Sequence, residues 1–209
     1  MTAEGDRGRA HWDGVYGRGP TEELGWYEPG PSTLALVIDN ADPHDSVIDV
    51  GGGDSRLVDA LVDRGHRDIT VLDLSEVALD RARRRLGARA DGVDWIRADV
   101  TDFLPTRTWD LWHDRAVFHF LTTDEQRTAY RNAAARAVAP RGRLVIATFG
   151  PDGPEQCAGL PVCRYDLDSL PAALAPDFEA LTVAPLAPGP WEEGDHRPYI
   201  GAVLTRTTS

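Results

Sequence analysis

The chain has 209 residues, 42% hydrophobic and 27% charged, a balance that suits one soluble globular domain with a sizeable core. Its 22 basic residues against 34 acidic ones leave a net charge of −12, so a phosphate backbone is repelled and nucleic acid is not an expected partner. Every basic residue is an arginine, and the absence of lysine excludes P-loop nucleotide chemistry and a pyridoxal phosphate Schiff base.

The opening stretch, MTAEGDRGRAHWDG, has no apolar core of the kind a secretory signal needs. No apolar run is long enough to cross a bilayer, so a cytoplasmic protein without membrane contact is expected. Trp12 and Tyr16 are four residues apart and would share one face of a helix. Residues 46–50 read as a short buried strand. Residues 55–64 have helical apolar spacing, with Gly65 as the stop. A second strand is predicted at 68–74, followed by a helix from the N-cap Ser75 to Gly87. Strands at 93–98 and 109–114 come next, then an alanine-rich helix over 123–139, a turn at Pro140–Arg141–Gly142 and a strand at 143–149. Cys157 and Cys163 are too few for a disulfide scaffold, and no Cys/His cluster has zinc spacing, so no metal is expected. The last third is predicted to hold a short helix at 166–174 and strands at 178–183 and 199–205. Pro185, Pro188, Pro190 and Pro198 lie between those strands. Strands alternating with helices imply a parallel sheet covered on both faces, and the final hairpin would close it with an antiparallel edge strand.

Chemistry concentrates at the strand ends. Asp49-Val50-Gly51-Gly52-Gly53-Asp54-Ser55 falls between a strand and a helix. Glycines there let a ligand approach the backbone, and the helix beyond offers free N–H groups. A dinucleotide fingerprint would want a third glycine where Arg56 stands. Asp73 ends the second strand, with Leu74 beside it, where a carboxylate can accept from ribose hydroxyls. Asp99 and Val100 follow the third strand, where an exocyclic adenine amine could donate.

In these residues the chain resembles the class I S-adenosylmethionine-dependent methyltransferases over roughly residues 45–150. The resemblance implies a Rossmann-like, doubly wound, mostly parallel seven-stranded sheet in three αβα layers. Residues 1–40 would form a lid, 45–150 the cofactor core, and 151–209 the substrate side. It also implies that Asp49, Gly51, Gly52 and Gly53 cradle the methionine part of S-adenosyl-L-methionine, that Asp73 and Leu74 hold the ribose, that Asp99 and Val100 flank the adenine, and that Asp114 and Arg115 contact the methionine end. The stretches His11–Tyr16, Trp26–Pro29, Asp114–Leu121 and Gly153–Leu160 are similar to a group of small bacterial methyltransferases.

Trp12, Tyr16 and Trp26 would exclude water from the cofactor and face its sulfonium through cation–π attraction. Methyl transfer needs alignment and desolvation, with a base only where the nucleophile starts protonated. His119, just beyond the fourth strand, and His11, on the lid, are the candidate bases, while His113 reads as structural. The expected activity is methyl transfer to a small-molecule acceptor. A cofactor-binding or partner protein without turnover and an NAD(P)-dependent oxidoreductase are the alternatives.

Overall fold

The computed structural model describes residues 3–186 and 198–207, and of residues 3–5 the backbone alone. Seven strands make the main sheet: β1 (Val47–Val50), β2 (Ile69–Asp73), β3 (Val93–Arg97), β4 (Trp109–Arg115), β5 (Val138–Phe149), β8 (Phe178–Pro185) and β9 (Tyr199–Arg206). A separate two-stranded hairpin consists of β6 (Gln156–Cys157) and β7 (Leu160–Pro161). The helices are α1 (Ala3–Gly17), α2 (Leu34–Ile38), α3 (Leu57–Asp63), α4 (Glu76–Leu86), α5 (Asp124–Ala137) and α6 (Ser169–Leu174).

The main sheet has the order β3-β2-β1-β4-β5-β9-β8. The first five of these strands pair in parallel. β9 runs antiparallel to both β5 and β8, so the reversed strand of the closing hairpin sits one place in from the edge. The order reverses between β1 and β4, which opens a crevice at their carboxyl ends.

Alternate residues of the buried strands feed opposite cores, as the two-residue period of a strand requires. Ile48, Leu72, Trp112, Leu144 and Leu204 pack with Tyr130 and Ala134 of α5 and with Leu170 and Leu174 of α6. Val47, Val71, Leu111, Val145 and Val203 pack with Val37 of α2, Leu57 and Leu61 of α3, and Leu79 of α4. The result is the three-layer αβα architecture that the sequence predicts.

Three departures have identifiable causes. The strand predicted from 143 begins at Val138, which pairs with Trp109, and the expected Pro140–Gly142 turn is instead an irregularity within β5, where Arg141 has a φ of +63° and the register shifts. Residues 166–168 precede α6 as a turn, since Asp166 Oδ1 accepts from the N–H groups of Asp168 and Ser169. The β6–β7 hairpin turns through Ala158 and Gly159, both at positive φ, and alanine there breaks the usual residue rule. Pro188 and Pro190 lie outside the described residues, as does most of the predicted 188–198 loop.

Candidate functional site

The bend after β1 is bare backbone by necessity. Gly51 and Gly53 have φ of +66° and +44°, in the left-handed region where a side chain is strained. A Cβ on Gly52 would lie 2.5 Å from Asp49 Oδ2, and one on Gly53 would lie 2.9 Å from both Asp73 Oδ2 and the Tyr16 hydroxyl. The bend thus brings Asp49, Asp73 and Tyr16 against main chain.

These groups border a cavity of about 520 Å³, within the usual range for a small-molecule site. Asp49, Gly51, Gly52, Asp73, Leu74, Asp99, Val100 and Arg115 all line it, as do His11, Trp12, Tyr16 and Trp26. Asp73 accepts from the N–H of Ser75 at 2.7 Å, yet burial pushes its carboxyl up to about 7, with the nearby Asp49 charge adding to the rise. Asp99 Oδ1 accepts from the N–H and hydroxyl of Thr101 at 2.9 and 2.7 Å. Asp49 Oδ1 meets His113 Nδ1 at 2.7 Å, while its buried Oδ2 has no hydrogen-bond partner among the described residues.

The N-terminal segment covers the strand ends with aromatic rings. Trp12 and Tyr16 do share one face of α1, with ring centroids 6.4 Å apart, and Trp26 stands edge-on to both at 6.0 and 6.2 Å. Phe120 closes on Trp12 at 5.1 Å. Burial and the Asp73 charge push the Tyr16 phenol up, so it stays protonated. Polar contacts fix the cover. Asp13 accepts from the Ser75 hydroxyl at 2.7 Å and so docks α1 on the start of α4. Arg115 pairs with the buried Glu28 at 2.8 Å, with its guanidinium over the Tyr199 ring at 5.2 Å.

Three expected site residues do not border the cavity: Gly53, whose bend packs against Asp73 and Tyr16, and Asp114 and His119, which point elsewhere. Asp114 faces α5, because β4 alternates and Asp114 shares the side of Trp112. Its carboxylate accepts from the Tyr130 hydroxyl at 2.7 Å and from the N–H groups of Val117 and Phe118 at 2.8 and 3.1 Å. It braces the turn after β4 and borders no part of the cavity, and burial raises it to about 6. His119 is fully buried, with its ring 4.5 Å from Phe120 and 4.6 Å from Phe149, and it also leaves the cavity untouched. Desolvation, with Arg115 adding to it, lowers His119 to about 3. The turn Phe118–Phe120 gives Phe120 to the cavity and tucks His119 behind it. His11 lines the cavity, and its buried Nε2 meets no partner among the described residues.

The far wall comprises Phe120, Leu121, Thr122 and Gln126 together with Cys157, Leu160 and Pro161 of the β6–β7 hairpin. Sequence reasoning assigned no role to Glu28, Thr33 or Asp13. The pairing of a buried-segment glutamate with Arg115 could have been suspected from Trp26-Tyr27-Glu28-Pro29, but nothing in the spacing marks Thr33.

Residues 47–142 match the family model described as a methyltransferase domain. This segment is similar to a methyltransferase domain. It holds the glycine bend and all four of Asp49, Asp73, Asp99 and Arg115. The eEF1A lysine and N-terminal methyltransferase of Mus musculus is 25% identical over 136 residues, 65% of this chain. The chain spans about a fifth of the length of that curated relative and of its Bos taurus counterpart, which is 24% identical. Among solved structures, Burkholderia thailandensis 1,6-didemethyltoxoflavin-N1-methyltransferase, with bound 1,6-didemethyltoxoflavin and S-adenosylhomocysteine, superposes with a TM-score of 0.75. It is 20% identical, and the alignment covers 100% of this chain and 92% of that one. The N-methyltransferase NodS of Bradyrhizobium japonicum, bound to S-adenosylhomocysteine, gives 0.65 at 18% identity, covering 84% of each chain. These likenesses establish the class I methyltransferase fold around the domain. No helix among the described residues is long and apolar enough to cross a membrane.

Proposed function

We propose that the protein binds S-adenosyl-L-methionine in this cavity and transfers its methyl group to a small-molecule acceptor, leaving S-adenosyl-L-homocysteine. The observation that carries the reading is one continuous cavity bordered by a bare glycine bend, an orphaned Asp49 oxygen and two further aspartates at successive strand ends. Gly51–Gly53 and Asp49 would hold the amino-acid end, Asp73 the ribose hydroxyls, and Asp99 and Val100 the adenine edge. The cofactor supplies an electrophilic methyl on a sulfonium. Trp12, Tyr16, Trp26 and Phe120 favour that charge and exclude water.

Two features support a small acceptor. The opposite wall is mostly apolar, formed by Phe120, Leu121, Cys157, Leu160 and Pro161 with Thr122 and Gln126 as its polar groups. The superposing Burkholderia enzyme also holds 1,6-didemethyltoxoflavin beside S-adenosylhomocysteine. His11 is the base that faces such an acceptor. Arg115 is held to Glu28, so its charge is balanced before any ligand arrives.

Calorimetry with S-adenosylhomocysteine tests the cofactor assignment. The wild-type protein is expected to bind it and Asp73→Ala to lose it, because two buried ribose hydroxyls lose their acceptor, at about 1–3 kcal/mol each. Equal affinity in the two proteins, or binding of NAD(P) instead, refutes the assignment. Incubating the protein and cofactor with a metabolite extract then tests turnover, a product heavier by one CH₂ being the expected signal. Transfer only to a peptide would overturn the small-acceptor reading.

A further inference from the structure

Asp49 is held by a buried polar chain that neither the glycine bend nor the cofactor reading requires. Asp49 and His113 are register partners on β1 and β4, so their side chains leave the sheet on the same face. His113 Nδ1 lies 2.7 Å from Asp49 Oδ1, and His113 Nε2 lies 2.8 Å from the Thr33 hydroxyl. Asp49 and His113 are each 2% exposed and Thr33 is fully buried. With the carboxylate accepting from Nδ1–H, Nε2 is left as an acceptor and the Thr33 hydroxyl donates to it. The ring is fixed at both nitrogens.

Thr33 immediately precedes α2 at its N-cap, where a threonine ordinarily caps the helix with its hydroxyl. Here the hydroxyl makes no cap, and its backbone is helical at φ −89° and ψ −3°. The residue has given up its usual local bond for one to His113, 80 positions away. Just upstream, Glu28 pairs with Arg115 and accepts from the Ser32 N–H at 2.8 Å. His113 and Arg115 lie two apart on β4, so residues 28–33 are fastened to one face of that strand at two points.

We propose that His113 and Thr33 are positioning residues for Asp49: they hold its free oxygen toward the glycine bend and couple the 28–33 segment to the amino-acid end of the cofactor site. The proposal rests on the cofactor reading above. It differs from a packing role in a measurable way. A ligand with an amino-acid end feels Asp49, whereas 5′-methylthioadenosine keeps the adenosine and lacks that end.

Calorimetry with both ligands, run beside thermal melts, is the test. Wild-type binding of S-adenosylhomocysteine is measured first, and its absence overturns the cofactor reading and this proposal together. Given that binding, His113→Phe is expected to weaken S-adenosylhomocysteine by about tenfold or more, the scale on which outer partners of a binding group act. Its affinity for 5′-methylthioadenosine should stay within about threefold of wild type, because the ribose and adenine contacts are untouched. His113→Asn, whose amide can still donate to Asp49, should recover most of the loss, and Thr33→Val should show a smaller loss with the same selectivity. Equal weakening of both ligands alongside a lower melting temperature assigns His113 to packing and overturns the proposal, and so does unchanged binding of both. If His113→Phe does not fold, Thr33→Val and His113→Asn decide alone: an unaltered preference between the two ligands in Thr33→Val sinks the coupling.

Discussion

Burial and ligand binding pull the Asp73 carboxyl in opposite directions. Desolvation holds it near 7 in the free protein, which favours the protonated form. Accepting from two ribose hydroxyls needs the carboxylate. Below about pH 7 binding must therefore expel a proton, and affinity falls as pH drops; above it the carboxylate is already formed and affinity levels off. Titrating S-adenosylhomocysteine between pH 5.5 and 8.5 should show this rise and plateau, and Asp73→Asn should bind weakly with the slope gone. A flat wild-type profile would remove Asp73 from the ribose. His119 gives the converse case. Both ring nitrogens are buried without a partner among the described residues, an arrangement that costs stability. His119→Leu is expected to melt no lower than wild type and to bind S-adenosylhomocysteine unchanged. A loss of cofactor affinity in that variant would return His119 to the site. The sequence could not have separated the two histidines. His119 and His11 are both near aromatic residues, and only the short turn Phe118–Phe120 decides which ring faces the cavity.

At the level of elements, what a strand end presents was legible and which face it presents was only partly so. Asp49, Asp73 and Asp99 could be read because each follows a short apolar run and ends at a turn. Asp114 had the same outward signature, yet the pleat sends it to the α5 side, where Tyr130, 16 residues on, claims its carboxylate. The β5 boundary and the β6–β7 hairpin escaped because their causes are long-range or irregular: a pairing with Trp109 in one case, alanine at positive φ in the other. The Gly51 bend is the element whose sequence left least freedom. Its φ of +66° disfavours any side chain by about 1–2 kcal/mol, and an added methyl would also run into Val117, which follows β4. Gly51→Ala is therefore expected to lower the melting temperature and to weaken S-adenosylhomocysteine, because the Val117 turn and the bend must separate. Retained stability together with retained affinity would show that the bend is not held by Val117.

For the molecule as a whole, the cover and the sheet differ in how they are held. Strand β1, most of β4 and residues 144–149 of β5 are paired on both sides and buried in two cores, whereas α1 and residues 21–33 rest on the sheet ends through a few polar contacts and a ring cluster around the cavity. Local opening follows the density of such support, so the N-terminal segment should open far more often than the sheet. A ligand that fills the space beneath Trp12, Tyr16 and Trp26 stabilises the covered state by mass action and adds contacts chiefly to that segment. Hydrogen exchange read by mass spectrometry tests the difference. Saturating S-adenosylhomocysteine should slow exchange strongly over residues 3–33 and at the 51–55 bend, while β4 and β5, already protected, change little. The cover and the bend should respond together, since Asp13 ties α1 to Ser75, two residues beyond the cavity-lining Asp73, and Thr33 reaches the cavity-lining Asp49 through His113. Protection confined to the bend, with residues 3–33 exchanging as fast as in the free protein, would show that the aromatic cover plays no part in holding the cofactor.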